Sequence, residues 1–148
     1  MNTHPYVRAY MAGIVVPTIA LVLILCVFIV ARLVYQVPVP IERALVFPMA
    51  LAPNLFGLWN MLYLRLQRGS YIPIGFHGAL LPFLVVSMGF LVATSLGFLA
   101  ATRGGLVWFQ AILVPYPYFA MGFTVVLIGY YLVWKYFVNS FNELQGIA

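Results

Sequence analysis

Nine charged residues divide this chain into four long uncharged windows, and their spacing leaves very few folds open to it. The windows are Ala9–Ala31, Ala44–Leu64, Gly69–Thr102 and Gly104–Trp134, of 23, 21, 34 and 31 residues. An α-helix rises about 1.5 Å per residue, so about 20 residues cross the ~30 Å hydrocarbon core of a bilayer. Each window is long enough for one crossing, and the sequence therefore predicts four transmembrane helices.

The composition excludes a water-soluble globule. Hydrophobic residues make up 66% of the 148 residues and charged residues only 6%, whereas about a quarter of a typical soluble domain is charged. The net charge of +5 comes from basic residues spread over every loop. Because they form no basic stripe among aromatics, we expect no nucleic-acid partner. Arginines in such loops are expected at headgroup level, which makes membrane lipids the expected partners.

The predicted fold is all-α: a polytopic membrane protein whose residues 1–148 form a single four-helix transmembrane bundle with proline-kinked helices. We expect the helices to cover about 7–34, 41–66, 72–101 and 106–137. Pro48 and Pro53 predict a bend in the second helix. In an alternative for the last window, the crossing begins near Val114 and the preceding residues lie along the interface. The long kinked helix is preferred, because Leu106–Leu113 contains no turn residue that would hold it flat.

The distribution of basic residues favours one orientation in a cell membrane. With four crossings both termini lie on the same side. An arrangement with the termini inside places four basic side chains there, namely Arg8, Arg65, Arg68 and Lys135. Three remain outside, namely Arg32, Arg43 and Arg103. This small excess favours cytoplasmic termini.

Two faces of small residues predict contacts between helices. The face on the second helix consists of Ala50, Pro53, Gly57 and Asn60. The stripe on the third helix repeats every four residues and consists of Gly89, Ala93 and Gly97. Small residues let helix backbones approach closely in lipid. The two faces exceed what one partner helix can cover, so we expect a homo-oligomer or membership in a larger membrane assembly.

Few residues in the windows could carry chemistry. The windows contain no Asp, Glu, Lys or Arg, which argues against a proton-coupled pump contained in one chain. Asn54 and Asn60 are expected to bond other helices; alternatively, together with Gln110, they line a polar cavity. His77 is expected to be an interfacial polar side chain, with binding of a haem, pigment or headgroup as the alternative. We predict no catalytic residue, metal site or cofactor.

These observations favour a non-catalytic function. The leading hypothesis is a small integral membrane protein that acts as a structural or accessory subunit, with lipid binding as a further property. The alternative is an oligomeric transporter or pore for a small uncharged or anionic solute, lined by Asn54, Asn60 and Gln110. A third hypothesis is a membrane enzyme or pigment-binding protein that uses His77.

Overall fold

The computed structural model describes residues 4–36, 41–67, 69, 72–108 and 112–147, and for residues 41–50 the backbone alone. The chain is mostly helical, at 77%, with one small antiparallel sheet. It divides into two compact units. Unit 1 combines the chain up to Ile72 with the segment from Tyr136 onward, and unit 2 is Pro73–Lys135.

Unit 1 is built on two long helices. Helix α1 is Pro5–Leu33 and helix α2 is Ile41–Leu66. Helix α1 begins at a proline, whose missing N–H costs nothing in the first turn. Helix α5, Asn139–Leu144, packs against α1. Beyond the C-cap residue of α5, Gly146 has φ +63° and donates its N–H to the Glu143 carbonyl.

Unit 2 contains two helices joined by a sheet. Helix α3 is Ile74–Ser95 and helix α4 is Tyr116–Leu132. Between them, β1 (Leu99–Thr102), β2 (Gly105–Trp108) and β3 (Ile112–Pro115) form an antiparallel sheet in the order β1-β2-β3. A π-helical turn, Val133–Val138, follows α4 and leads into α5.

Three helical stretches of the described residues are long and apolar enough to cross a membrane. They are Pro5–Leu33, Ile74–Ser95 and Tyr116–Leu144. Helix α2 has 26 residues, but the side chains of 41–50 lie outside the described residues. Its crossing, the bend at Pro48 and Pro53 and the four-helix bundle stay predictions. The three apolar helices agree with a membrane protein, while its location in the cell membrane and the orientation of the termini stay predictions.

The all-α prediction is correct only in part, because the region between α3 and α4 is a sheet. The third helix was expected to reach about residue 101, but α3 ends at Ser95. Gly97 has φ +73°, its N–H bonds the Thr94 carbonyl, and the Phe98 N–H bonds the Ala93 carbonyl at 2.8 Å. This pair of bonds is a Schellman motif, which terminates a helix with a left-handed glycine.

The fourth helix begins at Tyr116, not near Leu106, so the preferred long kinked helix is wrong. Residues before a proline are driven to extended conformations, and Val114 precedes Pro115, which is itself extended at φ −59° and ψ 145° as the N-cap of α4. The Arg103-Gly104 turn between β1 and β2 is followed by Gly105, with φ +152°. A Cβ at Gly105 would overlap the Val114 carbonyl. Only glycine therefore lets β2 approach β3 at this point.

Candidate functional site

A buried pair of asparagine amides joins three helices of unit 1. Asn60 on α2 and Asn142 on α5 are 0% and 2% exposed. Asn60 Nδ2 donates to Asn142 Oδ1 at 2.7 Å, and Asn142 Nδ2 donates back to Asn60 Oδ1 at 3.1 Å. Asn60 Nδ2 also donates to the Ala9 carbonyl of α1 at 2.7 Å. Each Asn60 polar atom thus has a protein partner, as burial in an apolar medium requires.

Two glycines allow α1 and α2 to come close enough for these bonds. A Cβ added to Gly13 would lie 2.7 Å from the Phe56 carbonyl oxygen and 2.9 Å from Gly57 Cα. A Cβ added to Gly57 would collide with the Tyr10 ring and with Ile14. The sequence placed Gly57 and Asn60 on one packing face, and both are buried. Helix α1 is the neighbour at that face.

A second polar contact joins the same helices nearer the middle of α2. The Tyr10 hydroxyl donates to Asn54 Oδ1. Asn54 is exposed, unlike Asn60. The hydroxyl supplies the hydrogen-bond donor that an amide oxygen needs in an apolar medium. Asn54 therefore lies at the edge of the helix contact, whereas Asn60 lies inside it.

Arg8 caps the end of helix α5. Its Nη1 donates to the Gln145 carbonyl at 2.8 Å, and its side chain is half-buried. Gln145 is the C-cap residue of α5, so its carbonyl is one of the last groups without an intrahelical donor. A cation is also favoured by the helix dipole at this terminus. The sequence analysis placed Arg8 among lipid headgroups. It missed this contact because Arg8 and Gln145 are 137 positions apart, so no local sequence pattern relates them.

His77 in unit 2 lies in a tight contact with Trp134. His77 is 2% exposed and Trp134 is fully buried, and their ring centroids are 5.9 Å apart in an edge-to-face arrangement at 71°. A Cβ added to Gly78 would overlap the Trp134 side chain. Trp134 lies in the π-helical turn Val133–Val138. The position is an inner packing one, and any ligand role for His77 stays a prediction.

The stripe of Gly89, Ala93 and Gly97 was expected to pack against another helix, but its two glycines have no close neighbour in the described part of the chain. Gly89 is exposed, Ala93 is half-buried, and Gly97 lies beyond the last helical residue. Among described atoms, nothing lies within 4 Å of a Cβ added to Gly89 or Gly97. Gly97 serves as the helix terminator, so these three residues do not form a continuous helical face. A contact of Gly89 and Ala93 with another protein stays a prediction.

Gln110 and Cys26 have little structural context. Gln110 lies outside the described residues, so its predicted place in a polar cavity has no structural description. Cys26 is a free, exposed thiol on α1. In the described ranges, no group of three or more His, Cys, Asp or Glu side chains is placed to hold a metal ion.

An apolar groove in unit 2 was not anticipated from the sequence. Its volume is about 540 Å³, within the ~300–1,000 Å³ range of small-molecule sites. The groove is lined by Val86, Ser87, Phe90, Leu91, Ala101, Leu106, Tyr116 and Phe119. The sheet forms part of its wall, and the sheet itself was missed. The available signals were Gly97 after a helical run and the Gly104-Gly105 pair, both turn formers.

The described polar groups are arranged to hold helices together, with the amides bonded to each other and the arginine bonded to a helix end. The groove offers mainly apolar contact, with hydroxyls only at Ser87 and Tyr116. Comparisons of the chain with protein-family models, with curated proteins and with solved structures find no match.

Proposed function

We propose that this protein is a small integral membrane protein that acts as a structural or accessory subunit of a membrane assembly and binds lipid. The observation that carries this proposal is that the buried amides of Asn60 and Asn142 are hydrogen-bonded to other helices of the protein. They bond each other and the α1 backbone. Polar side chains that line a solute pathway must instead offer their hydrogen bonds to water or to the solute.

Apolar surface available for assembly supports the same proposal. Helices α1 and α4 carry many exposed large apolar side chains, such as Leu23, Val27, Met121 and Val125, each more than 60% exposed. On α4 no described residue of the helix is buried. Gly122 and Gly129 lie on α4 with nothing within 4 Å of an added Cβ among described atoms. A partner helix could therefore approach the α4 backbone closely.

The proposal is tested by the state of assembly and by solute flux of one purified sample. The tagged chain, expressed at native level, is extracted in a mild detergent and weighed by native mass spectrometry. We expect one fixed stoichiometry, either of this chain or of this chain with a constant partner. A mass of a single chain across detergents and nanodiscs would contradict the proposal.

The flux measurement separates the proposal from the alternative of a pore. The purified assembly is reconstituted into liposomes loaded with small uncharged and anionic solutes. We expect efflux no faster than from empty liposomes. Efflux that scales with the amount of protein, and that falls in Asn54→Leu and Asn60→Leu variants, would instead establish the transporter. Asn139→Leu is the matched control, because Asn139 bonds only the nearby Glu143 of its own helix in the contacts described.

A further inference from the structure

We propose that the groove of unit 2 binds one acyl chain of an anionic phospholipid, with the lipid phosphate held at Arg103. This inference rests on the lipid-binding part of the proposed function and names the lipid class and the site. The groove belongs to a unit with two helices that can enter a membrane, Ile74–Ser95 and the helix that begins at Tyr116. The groove is therefore built on helices that are long and apolar enough to lie in a bilayer.

The shape and chemistry of the groove suit a hydrocarbon chain. Helix α3 contributes Phe90 and Leu91, the sheet contributes Leu106, and α4 contributes Phe119. These side chains offer apolar contact over about 540 Å³. Burial of apolar area is the main favourable term for such a ligand. A hydrophilic solute would gain little here, because among the described lining residues only Ser87 and Tyr116 supply hydroxyls.

Arg103 supplies the charge that selects an anionic headgroup. It is the only charged residue between Arg68 and Lys135, and it is exposed. It lies in the turn that joins β1 to β2, where Ala101 and Leu106 are register partners and both line the groove. Arg103 is two positions after Ala101, so their Cα atoms are within about 7 Å. A long arginine side chain covers such a distance easily.

The turn that carries Arg103 is fixed to the groove wall. The Tyr116 hydroxyl donates to the Thr102 carbonyl at 2.8 Å, and Thr102 Oγ1 donates to the Gly105 carbonyl at 2.9 Å. Tyr116 also lines the groove. The backbone of the turn is therefore held at the edge of the apolar wall, so the charged residue starts from a fixed point beside the groove.

Native mass spectrometry of the assembly from nanodiscs tests the site. The nanodiscs contain phosphatidylglycerol and phosphatidylcholine with the same acyl chains, and the lipid retained after mild activation is counted. We expect wild type to retain one lipid per chain, with phosphatidylglycerol preferred. Arg103→Gln should reduce that preference about fivefold, since a basic residue near an anionic surface contributes about 1 kcal/mol. Arg65→Gln, which removes an exposed charge in unit 1, should leave it unchanged.

A second variant blocks the acyl site without disturbing the fold. Ser87→Trp places a large side chain in the groove from an exposed position. We expect this variant to retain neither phosphatidylglycerol nor phosphatidylcholine. Inorganic phosphate should not displace the lipid, because the acyl chain holds it. Absence of retained lipid in wild type, or equal preferences in Arg103→Gln and Arg65→Gln, would overturn the proposal. Retained lipid on a chain without fixed stoichiometry would instead contradict the subunit function alone.

Discussion

Replacing Asn60 by leucine should destabilise the protein strongly, because the change removes three hydrogen bonds between helices. Interhelical bonds in membrane proteins contribute about 0.6 kcal/mol each on average and at most about 1.7. The three bonds together are therefore worth about 2 kcal/mol. The Asn142 amide is also left buried without its partner, which adds at least about 1 kcal/mol. We expect a total loss of about 3 kcal/mol.

The partner and the double variant complete a thermodynamic cycle. Asn142→Leu removes two bonds, worth about 1 kcal/mol, and leaves Asn60 Oδ1 without its described partner, which adds about 1 kcal/mol, so we expect a loss of about 2 kcal/mol. The bond from Asn60 to the Ala9 carbonyl remains. In the double variant no amide is orphaned, and apolar replacement of both partners is tolerated best. Its expected loss is about 2 kcal/mol, below the sum of about 5 for the single changes. The coupling energy is thus about 3 kcal/mol.

The assay is equilibrium unfolding in bicelles or mixed micelles, followed by far-UV circular dichroism or by steric trapping. Asn139→Leu provides the control on α5, since its amide bonds only Glu143 one turn away in the described contacts. We expect that change to stay within about 0.5 kcal/mol of wild type. Additive losses in the double variant, within about 0.5 kcal/mol, would refute the amide pair.

Three further substitutions, one of them with a control variant, examine packing and helix ends. Gly13→Ala should lower the free energy of unfolding by about 1–3 kcal/mol, because its Cβ would meet α2 backbone atoms. Gly89→Ala is the control and should not destabilise the protein, because nothing described lies near its Cβ. Equal effects of the two changes would contradict the close crossing of α1 and α2. Gly78→Ala should displace the Trp134 indole, so tryptophan emission should shift and unfolding should occur at lower denaturant; an unchanged spectrum would argue against the contact. Gly97→Ala should lower the free energy of unfolding by about 1 kcal/mol, because alanine is strained at a φ of +73°, and it should leave the oligomer mass unchanged. Loss of the oligomer would instead support the predicted role of Gly97 in helix packing.

The membrane helices were predictable because their signal is long and simple. A window such as Ala9–Ala31 contains no charge. In the hydrocarbon core its backbone N–H and C=O groups must bond each other, and a single segment achieves this only as a helix. The packing of Gly57 and Asn60 followed from their common helical face. Both inferences use periodicity within one segment, which a single sequence displays directly.

The sheet and the polar partners depended on information that such patterns do not carry. Gly97 fits the small-residue spacing of a helix face and the terminator of a Schellman motif equally well. The choice between them follows from the backbone at Gly97, which has φ +73°. Likewise, Asn142 lies 82 positions from Asn60, and nothing in the short sequence around either residue names the other as its partner.

The central claim is that the buried amides bind helices and not water. Its most direct measurement is side-chain amide exchange by NMR, with ¹⁵N-labelled protein in nanodiscs transferred to D₂O. The account predicts that the Asn60 and Asn142 Nδ2 protons persist long after those of exposed Asn54 have exchanged. Exchange of all three at one rate would place water beside the pair and contradict the account.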